Sequence, residues 1–279
     1  MRTVVLDLAS LAAVAAAVGA LGAFLYLAVS FRVMRRHTEP RGWGAFLRAF
    51  IREVFAIAWT QPLLPLYYFI GRRMGGPREG RPIILVHGYF QNRADFVFLA
   101  HVVARAKLGP IYGFNYDWRQ SIARSASRLA RFVEDVCQET GAPKVAIVAH
   151  SLGGVVALEY LSTPEGAARV DRCVTIASPH AGVLWGGIAL GASARELRAT
   201  SEYMRTNPSR ALAIPTLSIY SSHDNIVHPS ATSGLVARGG EDELIEGVGH
   251  LGLLFSRVVA DATVRALSTR PGRSVSSSS

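Results

Sequence analysis

The spacing of hydrophobic and polar residues distinguishes three regions of the chain, and a basic segment, residues 32–81, lies between the first and the second. The first, from Leu8 to Phe31, is apolar and carries no charged residue. In the second, residues 82–268, short apolar runs alternate with stretches in which apolar residues recur every three or four positions. The third, residues 269–279, is polar and rich in serine, a composition that predicts a disordered tail.

The short apolar runs of the middle region predict buried strands. These strands are Ile83–Val86, Ile111–Tyr116, Val145–Ala149, Val170–Ala177, Thr216–Ser221 and Asp242–Glu246. Helices are predicted between and after them, near Ala94–Ala106, Ile122–Glu139, Leu152–Leu161 and Leu253–Leu267. Apolar strands that alternate with helices are typical of a mostly parallel sheet with helices on both faces. We therefore expect one α/β domain over residues 82–268, with a sheet of about six strands.

The apolar run near the start of the chain is long enough to form a transmembrane helix. At about 1.5 Å per residue, Leu8–Phe31 exceeds the ~30 Å hydrocarbon core of a bilayer. A cleaved signal peptide is the alternative, but Arg2 is offset by Asp7 and the run is longer than the usual apolar part of such a peptide. We predict a transmembrane anchor over residues 1–31.

Basic residues are concentrated directly after this run. Residues 32–81 contain ten arginines and three glutamates, so they hold +7 of the formal net charge of +10. A basic segment next to an apolar run favours contact with anionic lipid head groups, and nucleic acid is not an expected partner. We predict a juxtamembrane segment and linker over residues 32–81, with the apolar part, Ala45–Ile70, at the bilayer surface.

The same charge asymmetry predicts the orientation of the chain. By the positive-inside rule, the basic flank places the C-terminal side of the anchor in the cytoplasm. Val54–Ile70 also lacks charge and, as a second span, would reverse this orientation. Arginine is much commoner than lysine, of which only Lys107 and Lys144 occur, as is typical of GC-rich bacterial genomes. We expect a bacterial inner-membrane protein with a cytoplasmic globular domain.

A serine lies in a turn of small residues after one of the predicted strands. Residues 149–154 read Ala-His-Ser-Leu-Gly-Gly and follow the apolar run Val145–Val148. A strand that enters such a tight turn can present a serine as a nucleophile, provided that the residues two before and two after it are small. Ala149 and Gly153 meet this demand. The alternative is a serine that only caps a helix.

A serine nucleophile needs a base, a carboxylate that orients the base, and donors that stabilise an oxyanion. Asp224 comes just after the strand Thr216–Ser221, and His250 lies in a glycine-flanked loop after the last predicted strand. In enzymes with this kind of turn, the order along the chain is serine, acid, histidine. We therefore predict a catalytic triad of Ser151, Asp224 and His250.

The predicted oxyanion donors are backbone groups. The strand Ile83–Val86 is followed by a histidine and a glycine, and a glycine directly after a strand frees the next N–H to point into a site. We predict that the N–H groups of Tyr89 and Leu152 stabilise the oxyanion. The residues predicted to support the nucleophile and this loop are His87, Gly88, His150 and Gly153.

Together, these motifs resemble those of the α/β-hydrolase superfamily, and most of all its bacterial lipase and esterase branch. The resemblance rests on His87-Gly88, on residues 149–154, on Asp224 within Asp-x-x-Val-x-Pro, and on His250. It extends over roughly residues 82–268. The resemblance implies an α/β-hydrolase fold and ester cleavage through an acyl-enzyme.

In this superfamily, a cap is inserted between two late strands, and here residues 180–213 occupy that place. The apolar residues of this short lid either cover the core or form an acyl-chain pocket opposite the loop at Tyr89. The predicted pocket residues are Phe90, Leu184 and Trp185. An apolar pocket beside a membrane anchor favours a lipid-like acyl ester as the substrate.

No cofactor and no metal site are predicted. Cys137 and Cys173 are far apart in the sequence and are interpreted as two buried thiols. The expected function is that of a membrane-anchored carboxylesterase or lipase, with an acyl ester and membrane lipids as partners. Two alternatives stay open: a thioesterase or acyltransferase that uses the same triad, and a membrane scaffold without activity.

Overall fold

The centre of the molecule is a seven-stranded sheet with the strand order β1-β3-β2-β4-β5-β6-β7. The computed structural model describes residues 8–38, 42–63, 69–184, 190–206 and 210–269. The strands are β1 (Arg73–Gly75), β2 (Ile83–Val86), β3 (Ile111–Phe114), β4 (Val145–His150), β5 (Val170–Ile176), β6 (Thr216–Ser221) and β7 (Glu241–Ile245). Neighbouring strands are parallel except β1, which pairs with β3 in the antiparallel direction.

Helices cover both faces of the sheet. The α-helices of the described residues are α1 (Leu8–His37), α2 (Trp43–Leu63), α3 (Val97–Arg105), α4 (Ile122–Thr140), α5 (Leu152–Leu161), α6 (Pro164–Arg169), α7 (Ala192–Glu196), α8 (Glu202–Thr206) and α9 (Arg257–Ser268). The longest helix over the sheet, α4, begins after Ser121, whose hydroxyl accepts a hydrogen bond from the N–H of Arg124 at 3.3 Å. It ends at Gly141, which has a φ of 67°. A polar N-cap and a left-handed glycine are favourable ends for a helix.

The apolar runs of the sequence become the central strands. Every residue of β2 and β4 is buried, because helices pack on both faces of the sheet. Side chains alternate between the faces: Ile84 packs in one cluster with residues of α4 and α5, and Ile83 packs in another with residues of α3 and α9. The predicted α/β class, with a mostly parallel sheet between two helical layers, is confirmed.

The number of strands differs from the prediction. The sheet has seven strands and not about six, because Arg73–Gly75 adds an antiparallel edge strand beside β3. This strand lies in the segment that was predicted to be a linker. Its three residues are exposed or half-buried and show no apolar alternation. The strand is held by backbone pairing, so the hydrophobic pattern did not reveal it.

The first two helices pack against each other. Leu27, Phe31 and Met34 lie on one side of α1 and are buried against α2. The ring of Phe31 contacts those of Phe46 and Phe50, with centroids 5.5 and 5.4 Å apart. The predicted boundary between an anchor and a juxtamembrane segment at residues 31 and 32 therefore falls inside one continuous helix.

Among the described residues, no helix is long and apolar enough to cross a membrane. The structure does not support the predicted transmembrane anchor. α1 extends beyond Phe31 through Arg32, Arg35 and Arg36, and its buried side packs against α2.

Two predictions concern residues outside the described part of the chain. They are the assignment of Trp185 to a substrate pocket and the disordered tail, of which residues 270–279 are not described. Within the described part of the predicted lid are α7 and α8, and a bridge joins Val183 to Arg198. Cys137 and Cys173 are both free and buried, as interpreted from the sequence.

The packing of α4 on the sheet leads to a stability prediction. Leu129 is fully buried in the core cluster under α4, so Leu129→Ala is expected to lower the free energy of unfolding by about 2–5 kcal/mol. Denaturant unfolding followed by circular dichroism measures this change. The neighbouring exposed residue provides the control: Arg128→Ala is expected to change the same quantity by no more than about 0.5 kcal/mol. Equal effects of the two variants would contradict the described packing.

Candidate active site

Ser151 stands at the junction of β4 and α5 in a strained conformation. Its φ of 54° and ψ of −128° are unusual for a residue with a side chain, and such a backbone costs on the order of 1–3 kcal/mol. The N–H of Ser151 donates to the carbonyl oxygen of Ile176 at 2.9 Å, and its own carbonyl accepts from Gly154 at 3.0 Å. Neighbouring strands and the start of α5 therefore hold the turn in place.

Gly153 fits the close approach of the end of β2, and Gly154 fits that of Ser178. A Cβ atom on Gly153 would lie 2.3 Å from the carbonyl oxygen of Val86 and 2.5 Å from that of His87. A Cβ atom on Gly154 would lie 2.1 Å from the hydroxyl of Ser178. These distances are far below van der Waals contact, so the chain can make this turn here only with glycine at both positions.

Asp224 and His250 are brought together by the loops that follow β6 and β7. Nδ1 of His250 lies 2.8 Å from Oδ2 and 3.1 Å from Oδ1 of Asp224. Oδ1 also accepts hydrogen bonds from the backbone N–H groups of Ile226 at 2.8 Å and Val227 at 2.7 Å. Because a carboxylate can only accept, Nδ1 of the neutral imidazole carries the proton, and Nε2 is left as the basic nitrogen.

The electrostatic surroundings favour the protonated form of His250. Burial by itself lowers the pKa of His250, but the charge of Asp224, its hydrogen bond and the charge of Glu53 outweigh burial and raise the pKa above its usual value. A raised pKa suits a group that must take up a proton and return it.

His150 connects the serine turn with the loop of His250. It directly precedes Ser151, and its ring centroid is 4.8 Å from that of His250. Its Nδ1 is 2.8 Å from Oε1 of Gln91, and its Nε2 is 3.2 Å from the carbonyl oxygen of His250. Burial, together with the nearby His250 ring, holds the pKa of His150 well below its usual range. His150 is therefore a neutral structural link between the two halves of the site.

The loop after β2 runs against the serine. A Cβ atom on Gly88 would lie 2.7 Å from Cβ of Ser151 and 2.5 Å from Oε1 of Gln91. The N–H of Gly88 donates to the same Gln91 oxygen at 2.8 Å. This N–H is thus engaged, and the next N–H, that of Tyr89, belongs to the part of the loop beside Ser151. That Tyr89 and Leu152 hold an oxyanion stays a prediction.

His87 anchors this loop to the end of β3. Its Nε2 accepts a hydrogen bond from the N–H of Tyr116 at 3.3 Å, and its Nδ1 donates to the carbonyl oxygen of Gly88 at 3.0 Å. The hydroxyl of Tyr116 in turn donates to the carbonyl oxygen of His87 at 2.8 Å. Burial lowers the pKa of His87 to about 4, so the ring is neutral. These contacts fit a supporting residue and not a base.

An aromatic cluster lies beside the same loop. Tyr89 and Phe90 contact Trp118, with ring centroids 4.4 and 4.8 Å apart. The hydroxyl of Tyr89 donates to the carbonyl oxygen of Leu190 at 2.9 Å and accepts from its N–H at 2.8 Å. Phe90 and Leu184, both predicted pocket residues, are exposed. Their assignment to a substrate pocket stays a prediction.

Four residues of this region were missed from the sequence. They are Glu53, Gln91, Trp118 and Asn225. Asn225 directly follows Asp224, and its Oδ1 accepts the N–H of His250 at 3.1 Å. Because Asn225 is adjacent to the predicted acid, its place in the sequence is a usable signal for a role in the site. Glu53, a lone carboxylate within an apolar helix, was another signal, but it was counted only as part of the net charge.

His223 and His180 have structural contacts away from the Asp224–His250 pair. Nδ1 of His223 accepts the N–H of Gly247 at 3.1 Å. His180 contacts the hydroxyl of Thr175 at 3.0 Å, and burial lowers its pKa to about 3. Among the described residues, no group of three or more histidine, cysteine, aspartate or glutamate side chains is arranged to hold a metal ion.

Comparisons with known proteins bear on the fold that carries these residues. The profile of the alpha/beta hydrolase family matches residues 83–220. Lipase B of Aspergillus fumigatus superimposes with a TM-score of 0.62 at 19% identity, over 70% of this chain and 54% of the fungal chain. The protein has the α/β-hydrolase fold.

Two bacterial structures extend this likeness of fold. The mature lipase BlEst2 of Bacillus licheniformis gives a TM-score of 0.60 at 14% identity and covers 70% of this chain and 94% of its own. The carboxylesterase CesB of Bacillus subtilis gives a TM-score of 0.51 at 16% identity, and the match covers 81% of this chain and 99% of the CesB chain. The α/β-hydrolase fold is thus shared with lipases and esterases at low identity.

The contact between Asp224 and His250 leads to a titration experiment. Asp224→Asn removes the negative charge and the charged hydrogen bond, so the pKa of His250 is expected to fall. NMR titration of the His250 ring protons, assigned with His250→Gln, measures the shift. Asp261→Asn, on the exposed side of α9, changes the net charge by the same amount. It is expected to leave the pKa of His250 unchanged. The same shift in both variants would contradict a direct pairing.

Proposed function

We propose that the protein is a serine hydrolase that cleaves carboxylic esters through Ser151, His250 and Asp224. The observation that carries the proposal is the hydrogen bond between Asp224 and His250 beside the strained turn of Ser151. The α/β-hydrolase fold, which the protein shares with lipases and esterases, supports it.

In the proposed mechanism, Oγ of Ser151 attacks the ester carbonyl carbon while Nε2 of His250 takes the hydroxyl proton. Asp224 stabilises the resulting imidazolium and keeps its ring oriented. The negative oxygen of the tetrahedral intermediate accepts hydrogen bonds from the N–H groups of Tyr89 and Leu152. The intermediate collapses to the acyl-enzyme, and the leaving alcohol receives the proton from His250. Water then attacks the acyl carbon while Nε2 of His250 takes one of its protons. The bond between the acyl carbon and Oγ breaks, His250 returns the proton to Oγ, and the carboxylic acid is released.

The substrate class is argued from the aromatic cluster beside the loop at Tyr89. Tyr89 and Phe90 directly follow Gly88, the glycine that approaches Ser151. Their rings contact that of Trp118, and Phe90 is 57% exposed. An acyl chain gains free energy by covering such a surface, at roughly 0.8 kcal/mol for each buried methylene group. We therefore propose an ester with an apolar acyl group. A thioester substrate, or transfer to an acceptor other than water, uses the same acyl-enzyme and is distinguished by the leaving group and the product.

The proposal predicts a fluorophosphonate-reactive serine. Wild-type protein is expected to be labelled covalently and to hydrolyse p-nitrophenyl esters, with higher kcat/KM for longer acyl chains. Ser151→Ala is expected to lose labelling and to lower kcat by roughly 10⁴-fold or more, because the nucleophile is gone. Ser127→Ala removes an exposed hydroxyl of α4 and serves as the control, with labelling and rate unchanged.

Labelling that survives Ser151→Ala, or a rate within tenfold of the wild-type rate, contradicts the proposed nucleophile. Labelling of Ser151 without hydrolysis of any oxygen ester assigns the acyl-enzyme to a thioester or to an acyl acceptor other than water.

We further propose that the outer faces of α1 and α2 contact an anionic lipid surface. An exposed apolar residue recurs at every fourth position on the outward side of α2: Trp43, Leu47, Ile51, Phe55 and Trp59. The exposed arginines of the same two helices are Arg32, Arg35, Arg36, Arg48 and Arg52. Apolar side chains flanked by arginine match the acyl and phosphate layers of a lipid surface.

Vesicle co-sedimentation tests this lipid contact. Binding to vesicles of phosphatidylglycerol is expected to be stronger than binding to phosphatidylcholine, because arginine attracts the anionic head groups. The double variant Phe55→Ser and Trp59→Ser is expected to weaken binding at least about tenfold, since both side chains are exposed and available to the lipid. Val258→Ser, an exposed apolar position on α9, is the matched control. The lipid proposal is overturned if the double variant and Val258→Ser lose vesicle binding equally, or if neither loses it.

A further inference from the structure

A buried carboxylate of α2 lies against the loop that carries His250. Glu53 is 1% exposed and faces the body of the protein from the middle of the helix. The residues of α2 that share this inward side are Ala49, Ala56 and Thr60, all buried. A carboxylate on such a side is costly to bury unless its oxygens find hydrogen-bond donors.

Glu53 finds its donors in the two residues after His250. Oε1 accepts the backbone N–H of Leu251 at 2.9 Å, and Oε2 accepts that of Gly252 at 2.8 Å. Both oxygens are thus used by consecutive peptide groups. A Cβ atom on Gly249, on the other side of His250, would lie 2.5 Å from Oε2 of Glu53. The glycine before the histidine therefore makes room for this carboxylate.

Two other contacts join the same loop to the helix pair. Nη1 of Arg52 donates to the carbonyl oxygen of Gly247 at 3.3 Å. Asn225, which accepts the N–H of His250 at 3.1 Å, donates from Nδ2 to the hydroxyl of Ser30 on α1 at 3.0 Å. Hydrogen bonds therefore link the loop to α2 directly and to α1 through Asn225.

We propose that Glu53 is a positioning residue for His250, so that α2 is part of the catalytic apparatus. The inference rests on the proposed function, since it assigns His250 as the base. The carboxylate accepts two consecutive N–H groups, one on each oxygen, and these bonds fix the backbone on the C-terminal side of the imidazole. Asp224 orients the ring, and Glu53 holds the chain from which the ring projects.

The charge of Glu53 also acts on His250 through space. It is one of the causes that raise the pKa of His250. Burial raises the pKa of Glu53 itself to about 7, against the lowering effect of its two N–H donors and of His250. The other titratable or charged groups that face this region are Asp224, His150, His228, Tyr26 and Arg52. Loss of the Glu53 charge therefore moves the protonation of His250 to lower pH.

The test compares substitutions of Glu53 in the full-length protein. Glu53→Gln keeps the shape but offers one acceptor in place of two, and its amide N–H₂ opposes the other backbone N–H. We expect kcat to fall about 10- to 100-fold, with KM changed by less than about threefold, because the base is displaced and the substrate surface is not. The acidic limb of kcat/KM is expected to shift to lower pH. Glu53→Asp, which keeps the charge but is shorter, is expected to lower kcat and leave that limb in place.

A buried residue on the same side of α2 provides the matched control. The hydroxyl of Thr60 bonds within its own helix, to the carbonyl oxygen of Ile57, so Thr60→Val perturbs the packing of α2 without touching the loop. It is expected to keep the wild-type kcat and pH profile. Wild-type kcat and an unmoved acidic limb in Glu53→Gln overturn the inference, as does a loss in Thr60→Val equal to that in Glu53→Gln.

An NMR titration of His250 separates this inference from the proposed function, because it needs no turnover. If the wild-type protein shows no Ser151-dependent hydrolysis, only the proposed function is refuted. The pKa of His250 then still shows whether Glu53 acts on it. A lower pKa in Glu53→Gln than in wild type supports the contact, and an equal pKa refutes it. Should Glu53→Gln fail to fold, Glu53→Asp takes its place: a kcat equal to that of wild type refutes the positioning role, and a reduced kcat with an unmoved acidic limb supports it.

Discussion

The parallel pairing of β2 with β4 is the constraint on which the candidate active site depends. Val86 is paired with Ala149, so the chain leaves both strands at the same edge of the sheet. The carbonyl oxygens of Val86 and His87 then occupy the space that a side chain at Gly153 would need. The sharp turn at Ser151 and the glycine loop beside it are two consequences of this one close approach.

The other half of the site has a weaker foundation. Asp224 and His250 follow β6 and β7, and β7 lies at the edge of the sheet opposite β1, with residues that are exposed or half-buried. The loop from Gly247 to Gly252 contains three glycines and gains little order from its own side chains. Order comes from hydrogen bonds outside the loop: Arg52 donates to the carbonyl oxygen of Gly247, and Glu53 and Asn225 accept the N–H groups of Leu251 and His250. The helices α1 and α2 thus belong to the architecture of the site, although they lie outside the region matched by the family profile.

Sequence reasoning succeeded where the chemistry is local. The apolar runs predicted β2 with the observed bounds, and predicted β5 as residues 170–177 where the strand is Val170–Ile176. The motif around Ser151 was recognised because a strained turn limits side-chain size at fixed offsets. β1 was not predicted, because its three residues are paired through their backbone and show no alternation of apolar and polar positions. α2 was correctly seen as apolar, but it has apolar residues on both its inward and outward sides, so composition alone did not show which side is buried.

The α/β class, the strands of the central sheet and the serine turn could be predicted from the amino-acid sequence alone. These features follow from periodicity and from spacing over a few residues. The contact of Glu53 with Leu251, 198 positions apart, and that of Ser30 with Asn225, 195 positions apart, became visible only in the folded chain. Such contacts depend on how α1 and α2 pack against the loops that follow β6 and β7. No local pattern of hydrophobic and polar residues records the partner of a side chain that far along the chain.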